Sequence, residues 1–186
     1  LESTFGFADD AEKFYQPHDV LQLPNGNIMM IDDGTNRPGC SKDVTANCFS
    51  RAVEYRLDWG NATRPRPLAR VVWQFEFPLS LGQTDWQTVM SVDAFNNCGG
   101  SAYRLPGGTV LVAFTAMSQA ASEHDANLTR TAYAWEIDVD GSDDGTPTII
   151  ASMKIPIPHS TAGDQNAYRL TPWSTVFGES TEDPLS

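Results

Sequence analysis

Short runs in which apolar and polar residues alternate follow one another along this chain, and that alternation is the period of β-strands. Two such runs flank the turn LPNG at residues 23–26 and end in the acidic turn DDG at residues 32–34. An Asn-Gly turn between two apolar runs predicts a β-hairpin. Two more β-rich runs follow, SRAVEYRLD at residues 50–58 and ARVVWQFEF at residues 69–77. This part of the chain therefore predicts four consecutive strands.

The four-strand pattern then returns in a second set of runs. These are GSAYRLPG at residues 100–107, GTVLVAFT at 108–115, TAYAWEIDVDG at 131–141 and PTIIASMKIPI at 147–157. The Leu-Pro turn that begins at Leu23 recurs at Leu105, and EYRLD at Glu54 is echoed by WEIDV at Trp135. These two spacings differ by only one position, and spacings that agree this closely indicate an internal repeat.

Four antiparallel strands in each repeat are the unit of a β-propeller blade. We therefore expect an all-β fold, with one blade at about residues 14–80, a second at about 98–158 and a strand of a third at about 166–174. A single sandwich is the alternative, but it would not explain repeated four-strand units. Only residues 117–126 show a pattern that could form a helical turn, and residues 116–130 are predicted to be a loop.

Each blade has two apolar faces and needs a neighbour on both. Two blades and the start of a third cannot close a ring, and the first residues, LEST, look like a cut end. We therefore expect residues 1–186 to be the C-terminal part of one propeller domain. The remaining blades would come from the N-terminal part of a precursor or from another chain.

Charge and hydropathy exclude two classes of partner. The chain carries 12 basic and 24 acidic residues, a formal charge of -12, which repels the phosphates of nucleic acids. Its apolar runs have the length of strands, and its start lacks the pattern of a signal peptide, so we expect neither a membrane span nor a retained leader.

Three cysteines are present, which leaves one over after any single pairing. Cys40 and Cys48 bracket a short polar loop, and a disulfide between them would contribute about 2 to 3 kcal/mol. Cys98 is then left as a candidate link to the remaining blades. Without a CxxC pair or a histidine cluster the cysteines predict no metal site. The acidic turn at residues 138–145 fails the EF-hand spacing and is expected to be a hairpin turn.

Two glycosylation sequons begin at Asn61 and Asn127, each in a polar stretch between apolar runs. An N-glycan at either position would face water. Together with the cysteines, the sequons predict a secreted or extracellular glycoprotein that passes through the secretory pathway.

The ordered segments QPHDVLQLPNGNIMMIDDG, SRAVEYRLD, VVWQFEF and GSAYRLPGGTVLVAF resemble the later propeller blades of the arylsulfotransferase family. In that family a His-Asp pair precedes an Asn-Gly hairpin that ends in an aspartate-rich turn, and a Ser-Arg-Ala-x-Glu-Tyr strand follows. The match covers most of residues 14–115. It implies a six-bladed, exported propeller that moves a sulfuryl group from a phenolic sulfate to another phenol, without a nucleotide sulfate donor and with no cofactor.

By motif position, the resemblance implies His18 and Arg51 as catalytic residues. A sulfuryl group in transfer spreads negative charge over three oxygens, which a guanidinium or an imidazolium can stabilise, and a histidine can act as nucleophile or general acid. Both would then face the central funnel within roughly 10 Å of each other. The structural alternatives are a turn-capping or surface role for His18 and a carboxylate partner on a neighbouring blade for Arg51. Asp19 would orient His18 or cap a turn.

The sequence also departs from the family pattern. Asp33 stands where the family has asparagine, a proline separates Gln16 from His18, and the second Asn-Gly turn has become LPGGT at residues 105–109. His124 and His159 match no motif and are expected in surface loops. Two functions therefore remain open: a sulfotransferase-like enzyme acting on phenolic sulfates, or a non-catalytic extracellular propeller that binds another small ligand or serves as a structural module.

Overall fold

A computed structural model describes residues 6–34, 37–39, 49–61, 63, 66–77, 99–117, 130–139, 147–157 and 169–172. These residues contain nine β-strands and one 3₁₀ turn, Asp10–Glu12. The prediction of an all-β fold is therefore confirmed for the described part of the chain, where no helix is long and apolar enough to cross a membrane.

The first sheet has five strands in the order β1-β5-β4-β3-β2. They are β1 Gly6–Phe7, β2 Pro17–Gln22, β3 Ile28–Asp32, β4 Arg51–Asp58 and β5 Leu68–Glu76. Strands β2 to β5 form an antiparallel meander, and β1 adds to the edge parallel to β5.

The second sheet has four antiparallel strands in the order β6-β7-β8-β9. They are β6 Ser101–Arg104, β7 Val110–Met117, β8 Arg130–Asp138 and β9 Thr148–Ile157. Each sheet is thus built from consecutive strands, as expected for repeated units and unlike a Greek-key sandwich. Neither sheet closes on itself. Residues 169–172, within the predicted third unit, form no strand.

The two meanders share one register. Ile28 pairs with Tyr55 in the first sheet, and Val110 pairs with Ile137 in the second. The separation in sequence between the equivalent residues of these two pairs equals the separation between Leu23 and Leu105. The pairing of β4 with β5 shifts after Glu54, and that of β8 with β9 shifts after Glu136. Both units therefore carry the same bulge at the same place.

This register corrects one detail of the sequence comparison. EYRLD and WEIDV had aligned Glu54 with Trp135, whereas the pairing of the strands aligns Glu54 with Glu136. Because side chains alternate between the faces of a sheet, an error of one residue would transfer every side chain to the opposite face. The spacing given by the two Leu-Pro turns holds throughout the first three strands of each unit.

The repeat makes each face of the first sheet correspond to one face of the second. The front face carries Met29 and Glu54 in the first sheet and Leu111 and Glu136 in the second. The back face is the opposite one. The main core lies between the front of the first sheet and the back of the second. Its buried members are Leu23, Met29, Ile31, Ala52, Phe75, Phe77, Ala102, Val110, Val112, Phe114, Tyr133, Trp135 and Ile137.

Phe77 connects the two sheets by inserting among the aromatic rings of the second. Its ring centroid lies 5.4 Å from those of Phe114, Tyr133 and Trp135, in edge-to-face geometry. Such aromatic pairs contribute about 0.5 to 1.5 kcal/mol each beyond the area they bury.

The back of the first sheet has a smaller core of Met30, Val53, Tyr55 and Ala69. The segment that precedes β2 covers it, since Phe7 and Phe14 make edge-to-face contacts with the ring of Tyr55 at 5.8 and 6.0 Å. The Tyr55 hydroxyl donates a hydrogen bond to the carbonyl of Glu12.

Several predictions fall wholly or partly outside the described residues. These concern Cys40, Cys48, Cys98, Asn127, His124, His159, most of the predicted 116–130 loop and most of the acidic turn at 138–145. At the edges of that loop the prediction was wrong, because β7 extends to Met117 and β8 begins at Arg130.

Candidate functional site

His18 lies in β2, at an irregular part of the strand. Pro17 and His18 pair with Asp32 and Ile31, and regular pairing resumes only at Leu21. Asp19 has the left-handed φ of 49°, a conformation that aspartate adopts more readily than most residues. This local distortion redirects the side chains that follow His18.

The acidic turn after β3 supplies a carboxylate to His18. The imidazole Nε2 lies 3.1 Å from Oδ2 of Asp33, whose side chain is fully buried, while the side chain of His18 keeps 18% of its surface exposed. A carboxylate against one ring nitrogen fixes the orientation of an imidazole and stabilises its charged form. His18 therefore lies against a buried carboxylate and is partly exposed to solvent.

Two opposing effects act on the protonation of His18. Burial lowers the pKa of His18 from its ordinary value, while a carboxylate at this distance favours the charged form. The neutral ring is the form that can act as a nucleophile or accept a proton.

Asp32, the neighbour of Asp33, organises a separate network. Its Oδ2 accepts hydrogen bonds from Nη2 of Arg37 at 2.7 Å and from Nε of Arg51 at 2.9 Å. Its Oδ1 accepts from the backbone N–H of Tyr15 at 2.8 Å. The side chains of Asp32, Arg37 and Arg51 are all buried or nearly so, and such buried charges are stable only when paired in this way.

The guanidinium of Arg51 is occupied by protein groups. Besides Asp32, Nη1 donates to Gln74 at 2.7 Å, and Nη2 donates to the carbonyl of Lys13 at 3.0 Å. Arg51 thus ties β3, β4 and β5 to the segment before β2. Its carboxylate partner, Asp32, belongs to its own sheet.

The structure does not bring His18 and Arg51 onto one face. His18 pairs across the ladder with Ile31, and Arg51 pairs with Asp32, the next residue along β3. Successive residues of a strand project to opposite faces, and directly paired residues share one. A catalytic role for Arg51 remains a prediction, and its contacts favour a structural role.

Asp19, which was expected to orient His18 or cap a turn, belongs to a second group near His18, whose other members Tyr103 and Arg169 were missed by the sequence reasoning. The side chain of Asp19 is almost completely buried, and its Oδ1 lies 3.0 Å from Nη2 of Arg169. Burial raises the pKa of the neighbouring Tyr103 hydroxyl, and the Asp19 carboxylate raises it further. The Tyr103 hydroxyl and Oδ2 of Asp19 are both buried.

These contacts gather residues from three distant parts of the sequence. Asp19 belongs to β2, Tyr103 to β6, and Arg169 to the segment beyond β9. For Tyr103 and Arg169 the sequence signal was AYRL, which occurs at residues 102–105 and again at 167–170. Polar side chains gathered beside a partly exposed histidine are typical of a ligand site.

The sequon at Asn61 lies on the surface. Asn61 and Thr63 are both exposed, and Oδ1 of Asn61 accepts a hydrogen bond from the Thr63 hydroxyl at 2.7 Å. An enzyme could therefore reach the amide, and glycosylation at Asn61 stays a prediction.

In the described residues no group of three or more histidine, cysteine or acidic side chains could hold a metal ion. The groups around His18 are instead suited to a ligand that donates and accepts hydrogen bonds. No family model, curated protein or solved structure matches this chain. The likeness to arylsulfotransferases therefore rests on the motifs of the sequence.

Proposed function

We propose that this chain forms part of a secreted β-propeller that transfers sulfuryl groups between phenolic compounds, with His18 as the residue that meets the group in transfer. The observation that carries the proposal is the pairing of His18 with the buried Asp33 carboxylate while the imidazole remains partly exposed. The motif resemblance and the two consecutive four-strand units support it. The remaining blades complete the propeller, with Cys98 as a candidate link.

In the proposed reaction, a nitrogen of neutral His18 attacks the sulfur of a phenolic sulfate. The N–S bond forms as the S–O bond to the phenol breaks, and the phenolate departs. The hydroxyl oxygen of a second phenol then attacks the sulfur, loses its proton to a base and releases the imidazole. Asp33 stabilises the positive charge on the ring while it carries the sulfuryl group.

The test is transfer from 4-nitrophenyl sulfate to phenol by the complete protein. His18→Ala should lower kcat by at least about 100-fold, since removing a nucleophile or general acid has effects of this size or larger. Val20→Ala, on an exposed position of the same strand, is the matched control and should leave the rate unchanged. Equal rates for the two variants would exclude His18 from the chemistry.

One observation favours a binding module as the second candidate. In the described residues Arg37 and Arg51 pair with Asp32, and Arg169 pairs with Asp19. Sulfate would have to compete with these carboxylates, whereas a neutral hydroxylated ligand would not. Calorimetry with phenol and with its sulfate ester separates the two, because the module predicts binding of the phenol without any transfer.

A further inference from the structure

Arg169 departs from the contact that its equivalent in the repeat makes. The motif AYRL occurs twice, and its two copies make Arg104 and Arg169 equivalent residues. Arg104 joins the two sheets, because its Nη2 lies 2.6 Å from Oε2 of Glu54. Glu136 aligns with Glu54 in the repeat, so the same contact one unit later would pair Arg169 with Glu136. In the part of the chain that the structure describes, Arg169 makes its ion pair elsewhere.

The partner of Arg169 is instead Asp19, the residue that follows His18 in β2. Nη2 of Arg169 lies 3.0 Å from Oδ1 of Asp19. Because the Cα atoms of adjacent residues are about 3.8 Å apart, this contact places Nη2 within roughly 11 Å of the Cα of His18. The backbone beside Arg169 is fixed as well, since Ser101 Oγ donates to the carbonyl of Leu170 at 2.9 Å and accepts from its N–H at 3.3 Å. The structure therefore holds a cation close to the candidate catalytic histidine.

The two ends of this ion pair differ in exposure. The side chain of Asp19 is 3% exposed, whereas that of Arg169 is 47% exposed, so the cation is the end that a ligand in solution meets. Arg51 provides a contrast, because its side chain is only 3% exposed and all three of its guanidinium nitrogens donate to protein groups. Within the described residues the ion pair of Arg169 uses Nη2, and the other N–H donors of the guanidinium remain for a ligand.

A guanidinium placed in this way suits the sulfate group of an aryl ester. Such an ester carries its negative charge on three terminal oxygens, and arginine binds oxyanions through hydrogen bonds that the charge strengthens. The buried carboxylate of Asp19 orients the guanidinium before a ligand arrives, which reduces the entropy lost on binding. Neutral phenolic ligands lack the charge that this contact recognises. Arg169 is therefore suited to distinguish a sulfate ester from a neutral compound of the same shape.

We infer that Arg169 binds the sulfate oxygens of an aryl sulfate at the His18 site and selects the charged ester over neutral ligands of the same shape. Arg169 is thus assigned the oxyanion contact that motif position had suggested for Arg51. Asp19 is a positioning residue, because it acts through Arg169. The inference rests on the proposed function, since it concerns the same ligand and the same site.

Calorimetry on the complete protein tests the inference with phenyl sulfate and with phenyl methanesulfonate, a neutral ester of nearly the same shape. The unmodified protein should bind phenyl sulfate at least about tenfold more tightly, the size expected for a charge-assisted hydrogen bond. Arg169→Gln should reduce this preference to less than about twofold. Arg66→Gln, at an exposed arginine before β5, is the matched control and should keep the preference. A preference that Arg169→Gln leaves intact would overturn the inference.

A second variant separates ligand binding from structural support. Arg169→Gln leaves the buried Asp19 carboxylate without its cation, so the double variant Asp19→Asn with Arg169→Gln removes both charges. The double variant should lose the preference for the sulfate ester, whereas Asp19→Asn alone should keep most of it. A purely structural role for Arg169 predicts instead that the affinities for both esters fall together while their ratio stays constant, and that result would contradict the inference.

These measurements also distinguish failure of the inference from failure of the proposed function, because binding at equilibrium requires no transfer. If the protein transfers nothing from 4-nitrophenyl sulfate, but its preference for phenyl sulfate depends on Arg169, the inference stands and the proposed function fails. If transfer depends on His18 and the Arg169→Gln variant keeps the preference, the inference fails and the proposed function stands.

Discussion

At the scale of single residues, the acidic turn after β3 depends on Gly34. Its φ is 77°, and its N–H donates to Oδ1 of Asp32 at 3.1 Å and to the carbonyl of Tyr15 at 2.9 Å. A Cβ at this position would lie 2.1 Å from the carbonyl oxygen of Phe49. The turn that places Asp32 against Arg51 and Asp33 against His18 therefore requires glycine at position 34.

We predict that Gly34→Ala lowers the free energy of unfolding by at least about 3 kcal/mol, because it adds a backbone clash to an unfavourable φ. Gly26→Ala is the matched control, since Gly26 has a similar φ of 85° but open space around its Cβ position, and should cost about 1 to 2 kcal/mol. Urea denaturation measures both. Equal losses of unfolding free energy in the two variants would show that a contact between a Cβ at position 34 and the Phe49 carbonyl does not affect stability.

At the scale of elements, the Glu54–Arg104 ion pair joins β4 to β6 and so joins the two sheets. Burial raises the pKa of Glu54, but hydrogen bonds from Asn27 and Arg104 outweigh it and bring the pKa below its ordinary value. A carboxyl whose pKa is lowered by folding stabilises the protein above its ordinary pKa. This contribution is lost as the pH falls through the lowered value.

We predict that Glu54→Gln lowers the free energy of unfolding by about 3 kcal/mol at pH 7, since it leaves Arg104 without its charged partner. The difference from the unmodified protein should shrink as the pH falls below about 4.5, the ordinary value for glutamate. Denaturation curves between pH 7 and pH 3 measure it. A difference that stays constant over this range would contradict the assignment to the charge of Glu54.

At the scale of the whole molecule, the two units share one core and should unfold together. Phe77 follows β5, yet its ring lies among those of the second sheet. A cavity at this point removes contacts from both sheets at once.

We predict that Phe77→Ala costs about 3 to 5 kcal/mol and lowers the hydrogen-exchange protection of β3 and β8 by the same factor. Phe14→Ala is the control, because Phe14 is 37% exposed and, among the described residues, its ring contacts lie on the back of the first sheet. Its effect should be smaller and confined to that sheet. Loss of protection in one sheet alone after Phe77→Ala would show that the units fold independently.

The strands and their repeat were predictable because their signals are local. LPNG at residues 23–26 and the alternation in residues 50–58 depend only on neighbours in the chain, and both predict the observed elements. The partner of Arg51 was not predictable in this way, because Asp32 and Arg51 are distant in the chain and meet only through the register of β3 and β4.

By itself, the sequence determined the all-β class, the four-strand period and the place of His18 at the start of a hairpin, since each follows from short-range patterns of polarity and turn residues. Only the tertiary structure decided which carboxylate each functional candidate meets. Because side chains alternate along β3, Asp32 faces Arg51, and the turn at Gly34 places Asp33 against His18. The left-handed backbone at Asp19 and its contact with Arg169 join the beginning of the chain to a segment near its end. Such contacts depend on packing between elements, and no local pattern in the sequence encodes them.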